Sequence, residues 1–208
     1  MRREDVEMEA EPIRSTRTPS VDVHGLLLTA ADAVLRREGL AGVTVRGVAA
    51  EAGVAPGGVY SRFGGKDGLI DALLIRGFDD LGAATAPRGE SDARERLRMC
   101  GWRVRQWALH NRPYYEAMFL YERAWQRTEQ VAEHAMAGFH VLVNTVEYAM
   151  TAGFLRPSDP FEVAQQIFCV VHGAILCEFN GLILTGDPAA NYEAMLDTVE
   201  RSFGYPTD

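Results

Sequence analysis

The sequence predicts an all-α protein, with a small N-terminal helical domain followed by a larger helical bundle, on three observations. Apolar residues recur at three- and four-residue steps along almost the whole chain. No segment shows the strict alternation or paired turn signals that strands require. Glycine and proline crowd between Gly53 and Gly65, cutting the pattern into short pieces, whereas the stretches beyond are long and continuous. At 208 residues, 47% of them hydrophobic, the chain has enough apolar material to bury a core.

Residues 1–22 mix Arg2, Arg3, Arg14 and Arg17 with Glu4, Asp5, Glu7, Glu9 and Glu11 and contain no apolar run. They are expected to form a disordered tail rather than a secretory signal. A first helix runs from about Val23 to Arg37, with Leu27, Ala30, Ala31, Val34 and Leu35 on one face and Gly39 as its stop. Short helices at steep angles fill the rest of an N-terminal domain at 23–82. The run AATAPRGESD, residues 83–92, reads as a linker to a domain at 93–208.

In that second domain Leu97, Cys100, Gly101, Val104 and Trp107 share one stripe of a helix ending near Asn111, and another helix follows Pro113. Ala135, Phe139, Leu142, Val146 and Met150 mark a helix ending at Gly153, and Tyr192, Met195, Leu196, Val199 and Phe203 mark the last. Between them Phe161 to Leu184 is apolar on more than one face. Ile167–Leu184 is about as long as a membrane span, yet His172, Glu178 and Asn180 would be costly in hydrocarbon, so a helix buried in protein is expected.

The most specific local signal is Ala49, Gly53 and Val59 within VRGVAAEAGVAPGGVYSRF. Two short helices that cross need a small residue where one passes over the other, a glycine with positive φ to end the first, and apolar residues such as Val48, Val54 and Val59 to seal the corner. Thr44 caps the first helix and Pro56 suits the first turn of the second. A helix presented in this way fits the DNA major groove. Arg46, Arg62 and Lys66, the last being the only lysine in the chain, outnumber Glu51 here, although the whole protein carries a net charge of -8. That overall charge excludes coating of DNA by bulk electrostatics, so any contact is local. Phe63 reads as a core aromatic. Tyr60 and Lys66 read as phosphate contacts, Lys66 at a helix start whose N–H groups also face phosphate.

The stretch LLLTAADAVLRREGLAGVTVRGVAAEAGVAPGGVYSRFGGKDGLIDALL resembles the DNA-binding domain of the tetracycline-repressor (TetR) family along its whole length. The matching positions include Gly39, Thr44-Val45-Arg46, the Ala49 to Gly53 turn, Val59-Tyr60, Phe63, and Lys66 followed by Leu69. The resemblance implies a transcriptional repressor that binds a palindromic double-stranded operator as a homodimer. Thr44, Arg46, Tyr60 and Lys66 would hold the backbone, residues near Pro56, Gly57 and Gly58 together with Arg62 would face bases, and Val45, Ala55 and Ser61 complete the expected DNA-binding set. Arg62 stands where family members often carry histidine, and Gly57-Gly58 offers no side chains to read bases.

ALHNRPYYEAMF and GFLRPSDPFEVAQQIFCVVHGAILCEFNG resemble the C-terminal domain of a histidine-glycine (WHG-type) subclass. This implies a cavity for a small, hydrophobic effector among the middle helices, and dimerisation through the last two helices, about 160–204. Trp102, Gln106, Tyr115, Phe119, Phe139 and His172 are the candidate lining, because aromatics with a few polar groups make small-molecule sites.

Enzyme readings find no constellation. FGGKDG has Tyr60 where a phosphate loop needs glycine and Asp67 where it needs Ser or Thr. No Gly-x-Ser-x-Gly elbow occurs. His24, His110, His134, His140 and His172 form no i,i+4 pair, so no metal, catalytic residue or cofactor is expected. Cys100, Cys169 and Cys177 are an odd number, and the last two would lie about 12 Å apart on one helix, so buried inert thiols in a reducing cytoplasm are expected. The competing functional reading is a ligand-binding helical protein without DNA binding, motivated by Gly57-Gly58. A small-molecule enzyme on a helical bundle is the third.

Overall fold

The computed structural model of the chain describes residues 20–121, 124 and 127–205. These hold nine helices and no strand: α1 (Ser20–Gly42), α2 (Val45–Glu51), α3 (Gly57–Phe63), α4 (Lys66–Thr85), α5 (Ala93–His110), α6 (Arg112–Phe119), α7 (Glu129–Thr151), α8 (Pro160–Phe179) and α9 (Pro188–Phe203). The all-α expectation holds. Residues 1–19 of the expected tail lie outside the described residues, and Ser20 to Asp22 belong to α1 instead. Gly39 breaks α1 as expected: at φ 70 and ψ -178 it kinks the backbone, and a short turn reaches Gly42.

One core lies beneath the N-terminal helices. Leu27, Ala31 and Leu35 of α1 meet Val48 and Ala49 of α2, Val59 of α3 and Leu69, Leu73 and Leu74 of α4, all buried. The same core continues into Tyr114 and Met118 of α6 and Val131 of α7, so the two halves of the chain share apolar contacts. α4 is the common element. It runs through Thr85, past the expected start of a linker at residue 83, because Ala83, Ala84 and Thr85 still propagate helix and the Thr85 hydroxyl donates to the Leu81 carbonyl at 2.9 Å. Proline at 87 disfavours helix in the residue before it, and Ala86 is extended, with ψ 146.

The second core belongs to the bundle, where Leu97, Ala108, Tyr115, Val146, Ala149, Ile167, Ile175 and Tyr192 are buried together. Arg105 of α5 donates two hydrogen bonds of 2.7 Å to the Glu178 carboxylate of α8, and the guanidinium stacks over Trp102 and Tyr192. α8 ends at Phe179 rather than Leu184. The Asn180 side chain donates to the Leu176 carbonyl at 2.7 Å, Gly181 turns the chain at φ 67, and Leu182 and Leu184 lie exposed in the loop beyond. Among the described residues α8 alone is long and apolar enough to cross a membrane. It packs on α5, α7 and α9, but one chain buries only 28% of its apolar window, leaving Phe161 and Val170 exposed. The cysteines divide: Cys100 is buried and its thiol is pushed up to about 11 by desolvation, whereas Cys169 is exposed and Cys177 half-buried, contrary to the expectation of three buried thiols.

Candidate nucleic-acid interface and effector cavity

α2 begins where Thr44 turns from extended to helical backbone, its Oγ1 accepting from the Gly47 N–H at 3.1 Å. Gly53 takes φ 67 after α2, a conformation that costs a residue with a Cβ about 1–2 kcal/mol. The chain then returns over Ala49, whose carbonyl accepts from the Val54 N–H at 2.9 Å. α3 follows with its buried Val59 against the core. These contacts fix α3 across α2, a helix-turn-helix.

Thr44, Arg46, Ala55, Pro56, Gly57, Tyr60, Ser61, Arg62 and Lys66 all lie exposed on this unit. Tyr60 is 61% exposed and so is not a core residue, whereas Phe63 packs against the core and stacks on His24 at 4.6 Å. Two of the candidate contacts turn inward instead. Val45 packs on the core, and the Cα hydrogen of Gly58 faces Val54, Leu27 and Val23. The Ser61 hydroxyl donates back to the Gly58 carbonyl at 3.1 Å.

Charge on this face is sorted by pairing. Glu51 is held by Arg37 at 3.0 Å, and Asp67, beside Lys66, is held by Arg127 at 2.9 Å. Arg127 also meets Asp71 at 2.7 Å, so one residue from beyond α6 offsets two carboxylates on the first turns of α4. No side chain caps the α4 N-terminus, where the helix dipole favours an anion. The sequence reading missed Arg127, because nothing in a linear pattern pairs it with Asp67.

A cavity of about 510 Å³ lies among α4 to α9. Tyr115, Phe119, Phe139 and His172 line it, whereas Trp102 and Gln106 do not. The Trp102 indole faces α9 and donates to the Glu193 carboxylate at 2.7 Å, and Gln106 is exposed on the outer face of α5. Aromatics that the sequence reading omitted complete the lining: Phe78 from α4 and Phe161 and Phe168 from α8. A spacing signal existed, since Phe161, Gln165, Phe168 and His172 share one face of a helix. Tyr115 Oη lies 2.8 Å from His172 Nδ1, and burial lowers the His172 pKa while raising that of Tyr115. Arg98 and Glu200 form the charged end, bonded to each other at 2.7 Å.

Two further contacts join this cavity region to the helix-turn-helix unit. The Tyr114 hydroxyl donates to the Asp32 carboxylate of α1 at 2.8 Å. α6 crosses α4 so closely that a Cβ at Gly77 would fall within 2.8 Å of the Tyr114 ring and 2.7 Å of the Met118 sulfur.

Residues 27–73 match the family model of bacterial regulatory proteins of the tetR family, and residues 97–199 match that of the tetracyclin repressor-like C-terminal domain. No curated protein sequence matches the chain. Among solved structures, a protein with unknown function from Rhodococcus sp. RHA1 is 27% identical, with TM-score 0.79 over 94% of this chain and 100% of its own. A bacterial regulatory protein in the tetR family from Rhodococcus RHA1 is 21% identical, with TM-score 0.67 over 89% of this chain and 98% of its own. The transcriptional regulator FadR from Bacillus subtilis, in complex with stearoyl-CoA, is 16% identical, with TM-score 0.66 over 85% of this chain and 97% of its own, a likeness of fold. With both halves matched and the helix-turn-helix in place, the chain belongs to the tetR family of bacterial transcriptional regulators, with an N-terminal DNA-binding domain and a C-terminal ligand-binding domain.

Proposed function

We propose that the protein is a repressor that binds a palindromic operator as a homodimer and leaves it when a small hydrophobic molecule enters the bundle cavity. The observation that carries this reading is the exposed row Arg46, Tyr60, Arg62 and Lys66 around a helix-turn-helix, in a chain of net charge -8 whose local carboxylates are already paired. Thr44, Tyr60 and Lys66 hold phosphates, and α3 enters the major groove. With Gly57 at its start, α3 reads bases mainly through Arg62 and Ser61, assisted by Arg46 from α2.

The dimer forms through α8 and α9, a helix pair from each protomer packing as a four-helix bundle. Gln166, Val170 and Gly173 on α8 and Ala190, Ala194 and Thr198 on α9 are exposed in the single chain, and the small Gly173, Ala190, Ala194 and Thr198 admit close helix packing. In the DNA-bound form the two copies of α3 lie one turn of DNA apart, about 34 Å. The effector favours a second spacing, transmitted through α4 and α6, which both line the cavity and touch α1. This function places the protein in the cytoplasm, away from membranes, and asks no catalysis of it.

Footprinting on the DNA upstream of its own gene tests the reading. Protection of two inverted half-sites separated by one helical turn is the expected result. A protein that binds hydrophobic molecules yet protects no site would instead be a ligand-binding helical protein without DNA binding.

A further inference from the structure

The lining of the bundle cavity constrains the effector further. Its ionised groups, Arg98 and Glu200, are saturated: Arg98 is bonded to Glu193, Asp197 and Glu200, and Glu200 takes a second arginine, Arg94, at 2.8 Å. A carboxylate or phosphate entering here would have to compete with three side-chain carboxylates for one guanidinium, and a cation would meet a Glu200 that already has two. Burial disfavours the protonated form of His172. Among the described lining residues a free anion therefore finds no unpaired cationic side chain.

What the cavity offers is rings. His172 stacks on Phe168 at 5.4 Å with planes 15° apart, and Phe119 meets His172 edge-on at 5.2 Å and 70°. Phe139 stands nearly perpendicular to Phe168 at 84°. Faces and edges are both on display around one space, the two arrangements in which aromatic rings gain beyond simple area burial. Among these rings lies the Tyr115–His172 hydrogen bond, which leaves Tyr115 Oη with further hydrogen-bonding capacity, and Gln165 is a second polar group in the lining. A cavity of about 150 Å³ holds benzene in a known engineered protein, so about 510 Å³ accommodates two or three rings.

On the reading of this cavity as the effector site, we propose that the effector is a neutral, planar aromatic molecule with one hydrogen-bonding group, its rings among Phe119, Phe139 and Phe168 and its polar group on the Tyr115–His172 pair.

The test compares four probes by calorimetric titration of the full-length chain: 2-naphthol, naphthalene, 2-naphthoate and 1-decanol. 2-Naphthol binds about tenfold tighter than 1-decanol, which has the same carbon count but no ring. 2-Naphthoate, ionised at neutral pH, binds about a hundredfold weaker than 2-naphthol. Tyr115→Phe weakens 2-naphthol about fivefold and leaves naphthalene unchanged, which also shows that the variant is folded. Phe168→Leu weakens both ring compounds and spares 1-decanol. Equal binding of 1-decanol and 2-naphthol overturns the aromatic assignment and leaves the effector cavity standing, and tightest binding by 2-naphthoate overturns neutrality in the same way. Failure of all four to bind at millimolar concentration overturns this proposal and the effector cavity together.

Discussion

Tyr114 and Tyr115, neighbours on α6, send their hydroxyls to opposite halves of the molecule: Tyr114 Oη lies 2.8 Å from Asp32 of α1, and Tyr115 Oη lies 2.8 Å from His172 in the cavity. One short helix thus touches both the bundle cavity and the first helix of the DNA-binding unit. Tyr114→Phe removes the outward link alone. Its expected effect is effector affinity within about twofold of wild type, with a smaller loss of operator affinity on effector binding, because coupling is a free energy held in contacts that differ between states. Operator titrations with and without 2-naphthol measure it, and unchanged coupling would remove Tyr114 from the route.

His172 makes stability depend on pH. Burial lowers its pKa, so the folded chain favours the neutral ring and the unfolded chain binds the proton more readily. The stability tied to the neutral ring is complete above the unfolded value near 6.5 and is lost as pH falls through the lower folded value. Melting temperature should drop from about pH 7.5 to about pH 5.5, and His172→Gln should flatten that drop. An identical slope in the variant would refute the assignment.

Two glycines near the recognition helix respond in opposite directions. A Cβ on Gly58 would rest 3.7 Å from Val54 and 3.9 Å from Leu27, ordinary contact distances, and alanine is the better helix former. Gly58→Ala should therefore raise stability by up to about 1 kcal/mol. At Gly68 a Cβ would fall 1.9 Å from the Phe63 carbonyl oxygen, so Gly68→Ala must push α4 away from α3. Loss of well over 1 kcal/mol is expected from the second, read by denaturant melts of both variants.

The Arg105–Glu178 pair is largely buried, with side-chain exposures of 10% and 15%. Glu178→Ala leaves a buried guanidinium without its carboxylate and should cost about 3–5 kcal/mol, whereas replacing both by apolar residues of similar size should cost far less. A double variant as unstable as Glu178→Ala would contradict this.

Much of this architecture was legible in the sequence, for identifiable reasons. Ala49, Gly53 and Val59 act through local geometry, so their spacing located the helix-turn-helix. Chain pairing was not legible. Nothing local joins Arg127 to Asp67, Arg105 to Glu178 or Tyr114 to Asp32, because these partners meet only after the helices dock. Trp102 and Gln106 were misplaced for a related reason. Periodicity finds an apolar stripe but does not say which neighbour a face meets, and α5 turns Gly101 and Val104 to the cavity while aiming Trp102 at α9. Hydropathy carried the end of α8 too far, since Leu182 and Leu184 are apolar residues in an exposed loop.

The proposed repressor must bind DNA specifically through the face around Lys66. Fluorescence anisotropy with labelled DNA from upstream of its own gene, titrated across salt concentrations, tests it most directly. A dissociation constant of about 10⁻⁸ M or tighter is expected at physiological salt, at least about 10³-fold below that for scrambled DNA. Lys66→Ala should weaken both DNAs and flatten the logarithmic salt slope by about one unit per protomer. Equal, micromolar binding to both sequences, or a salt slope unchanged in Lys66→Ala, would contradict it.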